Sequence, residues 1–222
     1  MAKIEEIYGV KQSKFFFTNL LKARKKMFDI IVEQVSDGDT VLDVGTTPVK
    51  SKHENFFLNH YHLKDNITCL SNQNLNNLKE LYPNLKTILG DGREIKLAEN
   101  SFDISISNAT LEHVGSFEEQ TTFIKEMYRV SKKKIIILTP NRFYPIDTHT
   151  MLPFLHWLPK NIHRGILKIL GHDFLSLEKN LNLLSENDLK NICNKIGIKK
   201  YKVIKFKYFG FNSNLILFIS KN

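Results

Sequence analysis

A chain of 222 residues, 42% hydrophobic and 25% charged, has the size and composition of one globular domain and excludes a disordered or collagen-like protein. No apolar run approaches the ~20 residues that cross a bilayer, and the opening MAKIEEIYGVKQSK lacks the apolar centre of a secretory signal, so a cytoplasmic location is expected. The net charge of +9 comes from 32 basic residues spread along the chain, which reads first as solvated surface and makes nucleic acid a weak candidate, while also suiting an anionic substrate.

Residues 1–38 are expected to hold N-terminal helices, able to roof a site or mediate pairing. From Val41 onward short apolar runs alternate with helical patterns. The strand candidates are VLDV (41–44), ITCL (67–70), KTIL (86–89), FDISIS (102–107) and KIIILT (134–139). Between them NQNLNNLKELY (72–82) and SFEEQTTFIKEMYRV (116–130) read as helices, the second with a Ser116/Glu119 capping box and Phe117, Ile124, Met127 and Tyr128 on one face. Alternation of this kind implies a parallel sheet covered on both sides. Residues 141–180 form a lid-like insertion. Within it MLPFLHWLPKNIHRGILKILG (151–171) is basic, aromatic and amphipathic. Such an element can pack on the sheet and roof a pocket, the preferred reading, or lie peripherally on a membrane. SENDLKNICNKIG (185–197) reads as a helix capped by Ser185 and stopped by Gly197, and two β-like runs (201–209 and 214–220) follow, joined by GFNS. So tight a connection requires antiparallel pairing. Cys69 and Cys193 lie far apart in apolar settings and read as buried free thiols.

An α/β sheet of seven strands, mostly parallel and closed by a C-terminal antiparallel hairpin, resembles the Rossmann-like class I S-adenosylmethionine-dependent methyltransferase fold, spanning the chain as one domain. Three segments carry the likeness. VLDVG (41–45) matches the strand and opening turn of the cofactor site. GDGREIKLAENSFDISISNATLEHV (90–114) matches the acid after the third strand, the Phe-Asp pair and the end of the fourth strand. TPNRFYPIDTHTMLPFLHWLP (139–159) looks like a segment found in a bacterial, methyltransferase type 11-like subgroup, which also shows a D-V-G-x-T-P opening in place of a glycine triplet.

The resemblance implies S-adenosylmethionine as cofactor and no metal. It places Asp43, Gly45, Thr46 and Thr47 at the amino-acid tail, with the threonine hydroxyls expected to meet its carboxylate. Asp91 and Gly92 would face the adenine, and Asn108 and Ala109, after Ser107, the tail and transferring methyl. Ribose binding is the departure: the family commonly ends its second strand in an acid, whereas CLSNQNLNN offers Ser71, Asn72 and Gln73. His113 and His149 are the candidate catalytic bases, with Asp147 as a further candidate; structural roles for both histidines weigh about equally. Asn141, Arg142, Tyr144, Thr148, His149 and Trp157 are expected on the substrate side, and Arg142 or Arg164 to meet a phosphate or carboxylate. The leading function is methylation of an oxygen, or second a nitrogen, on a small molecule or a cell-surface glycan or lipid precursor. The alternatives are RNA-directed methylation, disfavoured because the fourth strand ends in SNAT rather than N/D-P-P-Y/F, and a non-catalytic cofactor-binding or scaffold protein.

Overall fold

The computed structural model describes residues 14–51 and 54–221; the call of N-terminal helices over residues 1–13 lies outside them. Seven strands form one sheet in the order β3-β2-β1-β4-β5-β7-β6. They are β1 (Val41–Val44), β2 (Ile67–Ser71), β3 (Lys86–Leu89), β4 (Phe102–Asn108), β5 (Ser131–Pro140), β6 (Tyr201–Tyr208) and β7 (Phe211–Ser220). The first five run parallel, and β7 lies antiparallel between β5 and β6. Every residue of β1 and β2 is buried, which is why their sequences are apolar runs without alternation.

One face is covered by α3 (Phe117–Val130) and α6 (Glu186–Lys195) over a core that includes Leu42, Val44, Ile135 and Leu217. Both helices begin with the expected serine, and both caps are reciprocal boxes, Ser116 with Glu119 and Ser185 with Asp188. The other face carries α1 (Lys14–Val32) and α2 (Phe56–His60), whose Met27, Phe28, Phe56 and Phe57 pack over Ile67, Ile104 and Ile136. Cys69 and Cys193 are buried free thiols.

The segment 141–180 folds into a 3₁₀ turn (Leu155–Trp157), α4 (Lys160–Ile169) and α5 (Asp173–Ser176). Leu167, Leu175, Leu181 and Leu183 give it a small core of its own. No helix among the described residues is long and apolar enough to cross a membrane.

Two expectations need correction. Residues 72–82 contain a single 3₁₀ stretch, Asn76–Glu80, instead of an α-helix. The Asn74 side chain accepts from the Asn76 amide at 2.8 Å, a local turn that competes with helix hydrogen bonding. The hairpin turn is Phe209-Gly210, not GFNS: β7 already begins at Phe211. Both turn residues take positive φ, +48° and +81°, the requirement of a two-residue turn whose twist matches its strands.

Chain connectivity runs outward from β1 to β2 on one side and passes to β4 on the other. The carboxyl ends of β1 and β4 therefore flank a topological switch point, where open α/β sheets hold their ligands.

Candidate functional site

Two cavities open at that switch point. The larger, about 620 Å³, runs along the ends of β1, β2 and β3 from Gly45–Thr47 past Asn72 and Gln73 to Asp91–Arg93. The smaller, about 230 Å³, lies between α1, the β4 end, residues 140–149 and the hairpin. Gly45, Thr46, Thr47, Ala109 and His113 line both, so they form the joint between the two spaces.

The joint is built from constrained backbone. Gly45 has φ +99°, and a Cβ on it would sit 2.2 Å from the Thr110 hydroxyl oxygen. Its amide donates to the Leu70 carbonyl at 2.9 Å, fixing the turn to β2. The glycine is therefore demanded by the protein's own packing before any ligand arrives. Ala109 also takes a positive φ, +52°, with its amide held by Leu138 at 2.9 Å; a left-handed alanine costs about 1 kcal/mol and persists where the surroundings enforce it. Thr46 is buried and donates weakly to the Asp43 carbonyl. Thr47 is clamped by Asn55, which accepts from its amide and donates to its carbonyl, both at 2.8 Å. The Thr47 hydroxyl also points to Asn55, at 3.4 Å. Asn55 escaped the sequence reading because its partnership spans a loop whose shape only the fold reveals.

Along the larger cavity, Asp91 is half exposed and gripped by Arg93, which donates through Nε at 3.0 Å and through a terminal nitrogen at 2.6 Å. The guanidinium and its hydrogen bonds hold the carboxyl below the usual range. Arg93 bridges onward to Glu119 of α3. The Arg93 amide also donates to it, at 2.8 Å; three donors on a carboxylate with about four acceptor positions leave Asp91 room for one more. Gly92 leaves no room for a side chain: a Cβ would lie 2.3 Å from the Phe123 ring. Asn72 and Gln73 line the cavity with exposed side chains, and Ser71 is buried beneath them, accepting from the Gln73 amide at 3.1 Å.

The smaller cavity gathers charge. Asp43, 6% exposed, forms part of its lining and is pushed up to about 7 by burial, with a Thr46 hydrogen bond as the opposing influence. Glu112 is fully buried; one oxygen accepts from the Thr139 hydroxyl at 3.0 Å and the other has no partner among the described residues. His149 is buried, with Nδ1 2.9 Å from Asp147. Burial alone would lower its pKa, but the Asp147 hydrogen bond and charge outweigh it and the net shift is upward. Asp147 also accepts from Thr150 at 2.8 Å, and its carboxyl is held well below the usual range: burial opposes this, and the bonds from His149 and Thr150 prevail. His113 packs edge-on against His149, with centroids 5.0 Å apart, and its Nδ1 lies 2.7 Å from the Asn180 carbonyl. Burial pushes the His113 pKa down.

Asn108, Tyr144 and Thr148 also line this cavity, whereas Asn141, Arg142 and Trp157 do not. Asn141 is engaged with the hairpin, donating to the Asn212 carbonyl at 2.8 Å. Trp157 sits on the outer surface, its indole nitrogen donating to the Tyr144 carbonyl at 3.2 Å. Arg142 points the other way, into a small basic recess with Lys160, His163 and Arg164. Ser107 is buried in the sheet and lines neither cavity. Conversely, Arg24, Glu112 and Tyr208 line the smaller cavity without having been expected there. For Glu112 the sequence holds no local signal, because its burial comes from packing around it.

Residues 57–138 match the methyltransferase domain family. A comparison with curated proteins found no match. Among solved structures, a methyltransferase of Thermotoga maritima superposes with a TM-score of 0.61 at 16% identity, covering 94% of each chain. The 1,6-didemethyltoxoflavin N1-methyltransferase of Burkholderia thailandensis, with its substrate and S-adenosylhomocysteine bound, gives 0.59 at 12% identity, over 90% of this chain and 78% of that one. The magnesium protoporphyrin IX methyltransferase of Synechocystis, with S-adenosylmethionine bound, gives 0.58 at 12% identity, over 99% and 89%. The sheet topology is thus the Rossmann-like fold of these solved methyltransferases, and the domain match falls on residues 57–138 within it.

Proposed function

We propose that the chain methylates an oxygen on a small molecule or on a glycan or lipid precursor, with S-adenosylmethionine held in the larger cavity and the acceptor in the smaller. The observation that carries this reading is the joint: two cavities of suitable character meet at Gly45–Thr47, Ala109 and His113, where a methyl would pass. The residues fit the cofactor. Asp43 lines the smaller cavity two residues before the joint and is a buried carboxyl without an ion-pair partner among the described residues; a cofactor ammonium reaching through the joint would supply one. Asp91 can accept from an adenine amino group, and Asn72 and Gln73 can offer neutral hydrogen bonds to a ribose, each worth ~1 kcal/mol. When bound, S-adenosylmethionine supplies an electrophilic methyl on a sulfonium.

The chain's own part is alignment and proton removal. Tyr144, Thr148 and Tyr208 border the acceptor space and would orient the substrate, where much of the rate of a displacement originates. An acceptor hydroxyl must lose its proton, and in this reading the imidazole of His149, hydrogen-bonded to Asp147, takes it. Arg24 in the same lining suits an acceptor carrying negative charge. A lipid-linked acceptor is also compatible with the exposed Phe154, Trp157, Leu158 and Ile162 beside Lys160 on the lid, which suit peripheral contact with an anionic bilayer.

Calorimetry with S-adenosylmethionine tests the core of the reading: binding is expected, and Asp91→Ala should weaken it at least tenfold. No heat and no thermal shift at millimolar ligand would sink it. A methyl-transfer screen over hydroxylated and amine acceptors then distinguishes oxygen from nitrogen.

A further inference from the structure

Glu112, His113 and His149 come from the short 3₁₀ turn after β4 and from the loop after β5, yet each presents a ligand-type atom within 4.8 Å of the others. An ion about 2.1 Å from three such atoms brings them to about 3–4 Å of each other, so closing on a metal asks for side-chain movements of about an ångström. We infer that these three residues form a binding site for a divalent transition-metal ion, with its remaining coordination positions open to the smaller cavity. No ligand-spacing motif announces it, because His149 lies far along the chain from the pair at 112–113.

Three features beyond proximity carry the inference. The first is Glu112: a fully buried carboxyl group with one oxygen held by Thr139 and the other unpartnered among the described residues is costly unless a cation completes it. The second is the outer shell. The Asn180 carbonyl can only accept, so His113 Nδ1 is the protonated nitrogen and the other ring nitrogen carries the lone pair a metal needs. Asp147 steers His149 through Nδ1 and is itself fixed by Thr150 and the His149 amide. Carboxylate or carbonyl oxygens behind ligating imidazoles are the usual support of such sites. The third is the ligand set. Two imidazoles and one carboxylate with open positions suit zinc, iron(II), manganese or cobalt, while magnesium and calcium prefer all-oxygen shells. All three residues line the smaller cavity, so an ion there would present its open positions to whatever binds in it.

Metal binding itself stands apart from the methyl-transfer reading. The role we assign to the ion does rest on that reading and replaces His149 as the base: with His149 ligating, the ion would hold the acceptor oxygen and ease loss of its proton to water, as a metal does for bound water.

The test uses the full-length protein, stripped with chelator and titrated with Co²⁺ and then Zn²⁺ in the absence of cofactor. One equivalent of Co²⁺ per chain with visible d–d absorption, displaced by Zn²⁺, is expected. Glu112→Gln and His149→Ala should each lose at least tenfold in affinity, and Asp147→Asn should weaken it 10–100-fold while keeping the stoichiometry. Cooperative thermal unfolding of each variant checks that it is folded. Should a variant fail to fold, X-ray absorption of the Co²⁺-loaded wild-type protein decides, with two imidazoles and oxygen ligands expected. No binding up to millimolar Co²⁺, unchanged affinity in folded Glu112→Gln, or a shell without imidazole would overturn the site. Metal binding without S-adenosylmethionine binding would sink the methyl-transfer reading and leave the site standing.

Discussion

The two cavities are walled on opposite principles. In the larger one Asp91 is paired with Arg93 and Arg93 with Glu119, and both members of the first pair remain about 40% exposed. In the smaller one Asp43, Glu112 and His149 are each no more than 6% exposed; among the described residues Asp43 has no ion-pair partner and one Glu112 oxygen no hydrogen-bond partner. The larger space is thus a preformed groove whose shape comes from strand ends and small residues. The smaller space is unfinished, and its buried carboxylates ask for a cationic ligand. A groove should respond to steric change, and an unfinished pocket to charge and pH.

The largest effect should come from filling the groove's wall. Gly45→Ala forces a side chain onto φ +99° and into the Thr110 side chain. Strain and overpacking together should cost roughly 2–4 kcal/mol of stability, read from the urea midpoint at constant slope. Gly92→Ala, which strikes the buried Phe123 ring, should cost about 1–3 kcal/mol and weaken cofactor binding as well. If either variant is as stable as the parent, the groove is not preformed and the contrast between the two regions fails.

The second effect belongs to the unfinished pocket. Asp43 is raised from 3.8 to about 7 in the folded protein. The native state therefore holds its proton more tightly than the unfolded chain, and this group's contribution to stability falls as pH rises from about 4 to about 7. A ligand ammonium requires the ionised form. Apparent affinity for S-adenosylmethionine should therefore weaken about tenfold per pH unit below pH 7 and level off above it, measured by calorimetry in buffers of different ionisation heat. Asp43→Asn should flatten that slope. A slope that survives in the variant would assign the titration elsewhere.

How far the sequence could be read follows the same division. β1 and β2 were legible because burial on both faces forces apolar runs, and the capping boxes at Ser116 and Ser185 are local chemistry. The stretch 72–82 misled because its leucines have helical spacing while four of its residues are asparagine, which favours turns over helix interiors. The groove could be located from VLDVG and GDG, since both lie beside strands. The closed pocket could not: it joins α1, the turn at 111–113, residues 140–149 and the hairpin, and whether His149 or Trp157 faces inward depends on how the lid lies on its own leucine core. Glu112 in particular has no local signature, because its burial is a property of the packing of β5 and Thr139 against it.

The smallest effect sharpens the contrast most. Arg93→Ala removes an exposed pair, and such pairs contribute ~0–1 kcal/mol to stability, so the unfolding midpoint should barely move. Without the guanidinium the Asp91 carboxyl returns towards its ordinary range and its side chain is free to rotate. Cofactor affinity should then fall by about two- to fivefold, since only the positioning of one acceptor is lost. Asp91→Ala removes the acceptor and should cost at least tenfold. A deficit in Arg93→Ala equal to that of Asp91→Ala would mean that the arginine itself touches the ligand. The groove would then, like the pocket beside it, depend on charge presented to the ligand, and the two regions would differ in depth alone.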